Sequence, residues 1–372
     1  MAKTSRCGAA LVAVAGLLAT ATAAWASDGV VEINHTCAVQ TGCFGNDFPG
    51  YPVTINGSAG RSYRLTSDLV VPGENTDGIL VFTSDVGIDL ANFTIIRSGC
   101  VGATTDCTPT TGGGSGINVT DGDLVRGTSV RNGSITGMGR YGVLLGPQSE
   151  IRDLRVRWNR IGGVFAATAS TITGITAYQN GGSGIFAGNG GSTVTGNTAY
   201  LNGTNGIQAV VASTLSGNTA YLNGGAGLFA GSGANVSGNT THDNAGSGIE
   251  AGDGSVLDGN VARNNGATGM FLGAGVSVRG STSAGNTGDG IFTSSGATVT
   301  DNTVYGNGGD GIQAGTDSLV HRNAARLNAG YGLQLSGGTG FRENVVNDNT
   351  TGTVLSGVNL GNNVCNGNTT CP

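Results

Sequence analysis

From about residue 130 onward the apolar positions of the chain return at a fixed interval. A glycine followed by an aliphatic residue stands at Gly142-Val143, Gly163-Val164, Gly184-Ile185, Gly206-Ile207 and Gly227-Leu228, and so on to Gly332-Leu333. Every step is 21 residues except one of 22. Twelve residues before each glycine comes an aliphatic residue (Val194, Leu215 and Val236 in successive repeats), and seven before it a small one (Ala199, Ala220, Thr241). Polar residues flank each of these positions, an alternation that puts one side chain inward and its neighbours outward, as in a strand. No helical spacing runs through the repeat. A period in the twenties means units that bury nothing alone and must stack. The pattern predicts an all-β solenoid with three short strands per coil. Coils should lie about 4.8 Å apart, each strand pairing in parallel with its equivalents above and below.

Asparagine marks the corners. One series runs Asn180, Asn202, Asn223, Asn244, Asn265, Asn286, Asn307, Asn328. The other runs Asn197, Asn218, Asn239, Asn260, Ser281, Asn302, Asn323, Asn344. Asn tolerates left-handed backbone geometry, and its amide can serve corner backbone groups while bonding to the Asn of the next coil.

Units such as Gly196-Asn197-Thr198-Ala199-Tyr200-Leu201-Asn202 followed by Gly206-Ile207, and the earlier segment Val86-Gly87-Ile88-Asp89-Leu90-Ala91-Asn92-Phe93-Thr94-Ile95, resemble the right-handed parallel β-helix superfamily of pectate-lyase-like and bacterial secreted repeat proteins. The likeness covers roughly residues 60 to 360 and implies a single-stranded right-handed parallel β-helix. It is specific for fold and weak for function, because this scaffold hosts lyases, hydrolases, epimerases and adhesins.

The ends differ from the repeat. Lys3 and Arg6, the apolar run Ala9 to Ala24 and the small-residue site Ala24-Trp25-Ala26 read as a signal peptide over residues 1–26, with Cys7 removed alongside it. We expect an N-terminal cap over 27–60, the β-helix over 61–360 and a C-terminal cap over 361–372. The expected location is secreted or periplasmic, without a membrane span after signal removal. Six cysteines then remain, in three close couples that suggest the pairs Cys37–Cys43, Cys100–Cys107 and Cys365–Cys371. Of 17 Lys and Arg, removing Lys3 and Arg6 leaves 15 arginines, and the whole chain has a net charge of −6. This balance argues against nucleic acid as a partner.

With the inward positions explained by packing, chemistry must come from the outward columns. Six residues before the glycine stand Arg157, Tyr178, Tyr200, Tyr221 and His242, a column whose aromatics suit sugar rings and equally suit each other. Two residues after it, Phe165, Phe186, Phe229, Phe271 and Phe292 recur. Seven of the 15 arginines fall between Arg126 and Arg160. Arg131, Arg152 and Trp158 join Tyr178, Tyr200 and Tyr221 as candidate substrate-binding residues, since arginine grips carboxylates bidentately. Arg155 or Arg157 with Asp153 are the candidate catalytic groups, because a lyase or epimerase needs a base near the sugar C5 and cations beside its carboxylate.

Several signatures are missing: the Asp-Pro-His-Asp motif of alginate epimerases, the Asn-x-Asp with paired Asp of polygalacturonases, and a compact acid cluster for Ca²⁺. His35, His242 and His321 lie too many coils apart for one metal site, and no cofactor is expected. The leading expectation is a protein that binds an extracellular or envelope polysaccharide, neutral or anionic, along its side. The alternatives are a lyase or C5-epimerase on a uronate polymer, and a structural or ice-binding protein carrying its Thr-x-Thr pieces at Thr171–Thr173, Thr193–Thr195 and Thr298–Thr300.

Overall fold

The computed structural model describes residues 29–57, 61–120, 124–369 and 371. The expected signal peptide lies outside these residues. The described chain is a right-handed parallel β-helix. Its third strand column is a sheet of 14 parallel strands. The first and second columns merge into one 27-stranded sheet. They merge because Ser129–Thr136 and Glu150–Arg157 run through the corner between them without a break. One complete coil shows the plan, with strands Thr193–Thr195, Thr198–Tyr200 and Ile207–Ala209.

Register follows the period of the sequence. Val194 pairs with Leu215, and Leu215 with Val236, one directly above the next. All three are fully buried. Each such aliphatic side chain contributes roughly 1.5–3 kcal/mol when removed from water. The second column supplies Ala199 and Ala220 to the interior, the third Ile207 and Leu228. Three corners close each coil, each with a left-handed residue; in this coil they are Gly196, Leu201 and Ala212. Gly206 is required for a different reason: a Cβ there would meet the Asn223 amide nitrogen at 2.6 Å and the Gly227 carbonyl at 2.7 Å.

The asparagine series are hydrogen-bonded ladders inside the corners. Asn202 donates from its backbone and side-chain nitrogens to the Asn223 oxygen, at 3.1 and 3.0 Å, and its Nδ2 also donates to the Ala177 carbonyl at 3.0 Å. Every polar atom of the buried amide is used, which is why burial is tolerated. The ladders reach beyond the residues legible in the sequence: Asn159 heads the first, Asn349 ends it, and Asn363 ends the second. The third corner holds a hydroxyl ladder through Ser149, Ser170 and Ser192.

The first rungs of the solenoid lie early. Val31–Ile33 pairs with Ser62–Leu65, and Val53–Ile55 with Ile79–Val81. At the other end Val364–Cys365 pairs with Val345–Asn347. Disulfides join Cys37 to Cys43, Cys100 to Cys107 and Cys365 to Cys371. No helix among the described residues is long and apolar enough to cross a membrane.

Candidate functional site

The outward side of the second column is where the sequence candidates converge. Consecutive rungs stack Ile96 on Thr136, Thr136 on Arg157, and Arg157 on Tyr178. Two residues back along each strand, at the preceding outward position, Ser134 stacks on Arg155 and Arg155 on Thr176. On the coil before Arg157 the outward side chains, Ser134 and Thr136, are short, while the arginines and Tyr178 are long. The step between them forms a cleft of about 410 Å³. Arg155, Arg157, Tyr178, Ser134 and Thr136 line it, together with Asp68 from an earlier coil.

One wall comes from the excursion stapled by Cys100–Cys107, through Val101 and Gly102. Arg97 fixes that excursion, donating from Nε to the Gly137 carbonyl and from Nη2 to the Cys107 carbonyl, both at 2.7 Å. These two charge-assisted bonds to backbone add to the disulfide and to the bond from Arg160 to the Gly112 carbonyl in holding the excursion.

The Arg157 guanidinium lies near two aromatic rings, 4.0 Å over the Trp158 ring and 5.8 Å from the Tyr178 ring centroid. Trp158 is only 3 % exposed, sits in the left-handed corner and donates from Nε1 to Gln179 at 3.2 Å. Its ring is covered, so it positions Arg157 and offers no open face to a ligand. Arg155 is exposed. Among the described residues neither Arg155 nor Arg157 forms an ion pair with a carboxylate.

The remaining arginine candidates belong elsewhere. Arg152 stacks on Arg131, and Arg131 on Asp89, but along the first column, across the corner from the cleft. Arg131 bonds to Asp89 at 3.1 Å. Arg152 stands 3.5 Å from the Glu150 carboxylate, without hydrogen-bond geometry at its Nε. Partial burial pushes the Asp89 carboxyl up. The Ala91 N–H, the Asn132 amide and Arg131 together outweigh it and hold the group below its usual value. Asp153 lines a neighbouring depression of about 360 Å³ with Arg155, not the cleft that contains Arg157 and Tyr178. The arginine-rich segment is thus one cluster in sequence and two faces in space.

The tyrosine column is a ring ladder. Tyr178, Tyr200, Tyr221 and His242 stand 5.0, 4.9 and 5.0 Å apart, with planes within 6° of parallel. Such centroid distances are those of offset stacks, in which each ring overlaps the next. The middle rings spend their faces on one another, leaving edges and phenol groups to solvent. Burial raises the Tyr200 phenol, helped by Tyr178 and Tyr221 and opposed by Arg157. Sugar stacking on every ring, as the column suggests in sequence, is not what this geometry offers; a row of hydroxyls is. The phenylalanines repeat the device on the third column, with Phe165–Phe186 at 5.1 Å and Phe271–Phe292 at 4.8 Å.

Asp68, Ser134 and Thr136 were not legible as site residues. Ser134 and Thr136 keep the period, 21 residues before Arg155 and Arg157, but their short hydroxyls carry no signal of their own; near Asp68, Leu69 pairs with Ile95 and Ile95 with Ile135, steps of 26 and 40 residues that a 21-residue period cannot align. Among the described residues no group of three or more His, Cys, Asp or Glu is placed to hold a metal ion.

Comparison with known proteins bears on the scaffold. A family model described as the right handed beta helix region matches residues 115–256 and again 228–370. No curated protein matches the sequence. Among solved structures, the A-module of Azotobacter vinelandii mannuronan C-5 epimerase AlgE6 is similar at 15% identity. The alignment covers 81% of this chain and 90% of that one, with a TM-score of 0.50. The AlgE4 A-module from the same organism is similar at 15% identity over 80% and 89%, with a TM-score of 0.51. At such identity these likenesses concern the fold alone. By its repeat, its register and a model match over more than half its length, the chain belongs to the right-handed beta-helix family.

Proposed function

We propose that the protein binds an acidic extracellular or envelope polysaccharide, with sugar carboxylates at Arg155 and Arg157. The observation that carries this reading is the pair of guanidiniums lining one cleft without carboxylate partners, one of them held against Trp158. A guanidinium fork matches a carboxylate bidentately, and a cation already oriented loses less freedom on binding. The hydroxyls of Ser134, Thr136 and the tyrosine edges suit the polar flank of a sugar chain. The two solved structures of similar fold are, by name, epimerases of mannuronan, itself such a polymer. Three disulfides fit an oxidising compartment, secreted or periplasmic.

A second reading, a lyase or C5-epimerase acting on the same class of polymer, draws on Asp68. It brings a carboxylate, the type of group that can take a proton, into the cleft with both arginines.

The test is titration calorimetry of the purified protein against polymannuronate, polygalacturonate and a neutral glucan, with ultraviolet absorbance followed for unsaturated products. We expect binding to a uronate polymer, weakened about tenfold or more by Arg157→Ala, as losing one charge-assisted contact implies. Absorbance growth abolished by Asp68→Asn would establish the lyase form of the second reading, and a change in C5 configuration of the polymer by proton NMR, likewise abolished, the epimerase form. No binding to either uronate, or binding untouched by Arg155→Ala and Arg157→Ala, overturns the first.

A further inference from the structure

The arginine–tyrosine arrangement of the cleft occurs a second time on the same column. Tyr305 pairs in register with Arg326, and the guanidinium stands 5.5 Å from the ring centroid. Arg157 and Tyr178 show the same relation at 5.8 Å. Both members of the distal pair are exposed, Tyr305 by 39 %.

Three features bear on what this pair can bind. Two nearby arginines are taken up by acids, Arg279 by Asp258 at 3.0 Å and Arg322 by Asp301 at 2.8 Å, whereas Arg263 in the same row and Arg342 on the first column form no ion pair among the described residues. Arg326 forms no ion pair among the described residues. Beside it Leu327 is 60 % exposed in a left-handed conformation, with φ of 57°. The equivalent corner residues one coil before and after are Gly306 and Asp348, types that take this conformation with less strain. Leucine takes the same left-handed, exposed corner at Leu201 and Leu222, so Leu327 continues a device of this corner and sets an apolar side chain beside the distal pair. Finally, the outward positions between the two pairs carry no acid. They read Tyr200, Tyr221, His242, Arg263 and Ala284 in one row, and Thr198, Thr219, Thr240, Val261, Thr282 and Thr303 in the other. Asp243, at the adjoining corner, is bonded to His242 at 2.7 Å.

We infer that Tyr305, Arg326 and Leu327 form a distal anchor for a long anionic polysaccharide lying parallel to the solenoid axis. This inference rests on the cleft being the first anchor. From Tyr178 to Arg326 the column climbs seven rungs, which at ~4.8 Å each gives about 34 Å. The solenoid between them is hydrogen-bonded throughout, so the anchors keep a fixed separation. A chain long enough to bridge them binds the second site intramolecularly and gains avidity; a shorter one does not.

The experiment compares polymannuronate long enough to bridge the anchors with its tetrasaccharide, against wild type, Arg326→Ala, Tyr305→Ala and Arg322→Ala, with thermal melts to verify folding. The expected result is a tenfold or greater loss of affinity for the long polymer in Arg326→Ala, a smaller loss in Tyr305→Ala, and none in Arg322→Ala. Tetrasaccharide affinity should stay within twofold throughout. Equal long-polymer affinity in Arg326→Ala and wild type overturns the distal anchor, as does a proportional loss for both ligand lengths. Failure of wild type to bind either ligand is a separate outcome and removes the reading of the cleft itself.

Discussion

The coils before about residue 160 and those after it hold the same solenoid together by different means. After residue 160 two of the three corners of nearly every coil are amide rungs, and successive coils differ mainly in their outward side chains. Before it the coils vary in length, a disulfide-stapled excursion leaves the stack, and charge takes over on the first column. There Glu32, Arg64, Asp89, Arg131 and Arg152 follow one another rung by rung. The comparison teaches where a repeat scaffold can carry chemistry. Uniform coils make a smooth flank with ring ladders, whereas unequal coils make steps, and the cleft at Arg155 and Arg157 is such a step.

If the later coils depend on their ladders, cutting one rung should be the most damaging change. Asn239→Ala leaves the Asn218 backbone and side-chain nitrogens without their acceptor, and the Leu215 carbonyl without its donor. Buried groups left unsatisfied cost about 1–3 kcal/mol each, so we expect a loss of at least ~3 kcal/mol by chemical denaturation. Protection from hydrogen exchange should fall first in the coils between 210 and 265. A loss below ~1 kcal/mol would mean that the amide ladder is dispensable and that aliphatic stacking alone maintains register.

The ladder also has a natural defect, which sharpens the same point in the opposite direction. At Ser281 the hydroxyl accepts from the Asn260 N–H at 3.1 Å but donates to the Arg279 carbonyl. The Asn260 side chain keeps its bond to the Val236 carbonyl and lacks the forward bond that Asn239 and Asn302 make. Ser281→Asn restores the rung in a corner already shaped for it. It should raise stability by about 1 kcal/mol, a typical net hydrogen-bond contribution. An unchanged or lowered melting temperature would show that the corner has relaxed around serine.

This division also governs what could be read from the sequence. Interior residues such as Val194 and Leu215, the three strand columns and most of the ladders were legible, because a strict period turns sequence spacing into vertical stacking. Asn363 was hidden because the last step from Asn344 is 19 residues, and the serine corner because Ser149, Ser170 and Ser192 are interrupted farther on by Ala234 and Ala297. The arginine cluster was legible as a cluster but not as two faces. The corner between Arg152 and Arg155 turns at Asp153, whose φ of 55° no side-chain pattern announces. Asp68 came into view only through space, 26 residues and one unequal coil from Thr94, whose N–H its carboxylate accepts at 2.8 Å.

The smallest expected effect tests whether charge serves the early coils as amides serve the later ones. Asp89 has its carboxyl held below the usual value by the Ala91 N–H, the Asn132 amide and Arg131, against the opposing push of burial. A lowered folded-state pKa means stability that is fully present above the unfolded value of about 3.9 and is lost as pH falls through the folded one. Acid should therefore loosen the first coils before the rest. Because Arg131 is well exposed, the ion pair itself is worth less than about 1 kcal/mol. Hydrogen exchange at pH 3 and pH 6, corrected for intrinsic rates, should show protection falling around residues 87–95 and 129–135 while the coils beyond 170 hold. Asp89→Asn should erase most of that pH dependence and leave the later coils unchanged. Uniform acid sensitivity along the solenoid would instead mean that the two regions share one cooperative unit, in which the charged column and the amide ladders cannot be told apart by stability.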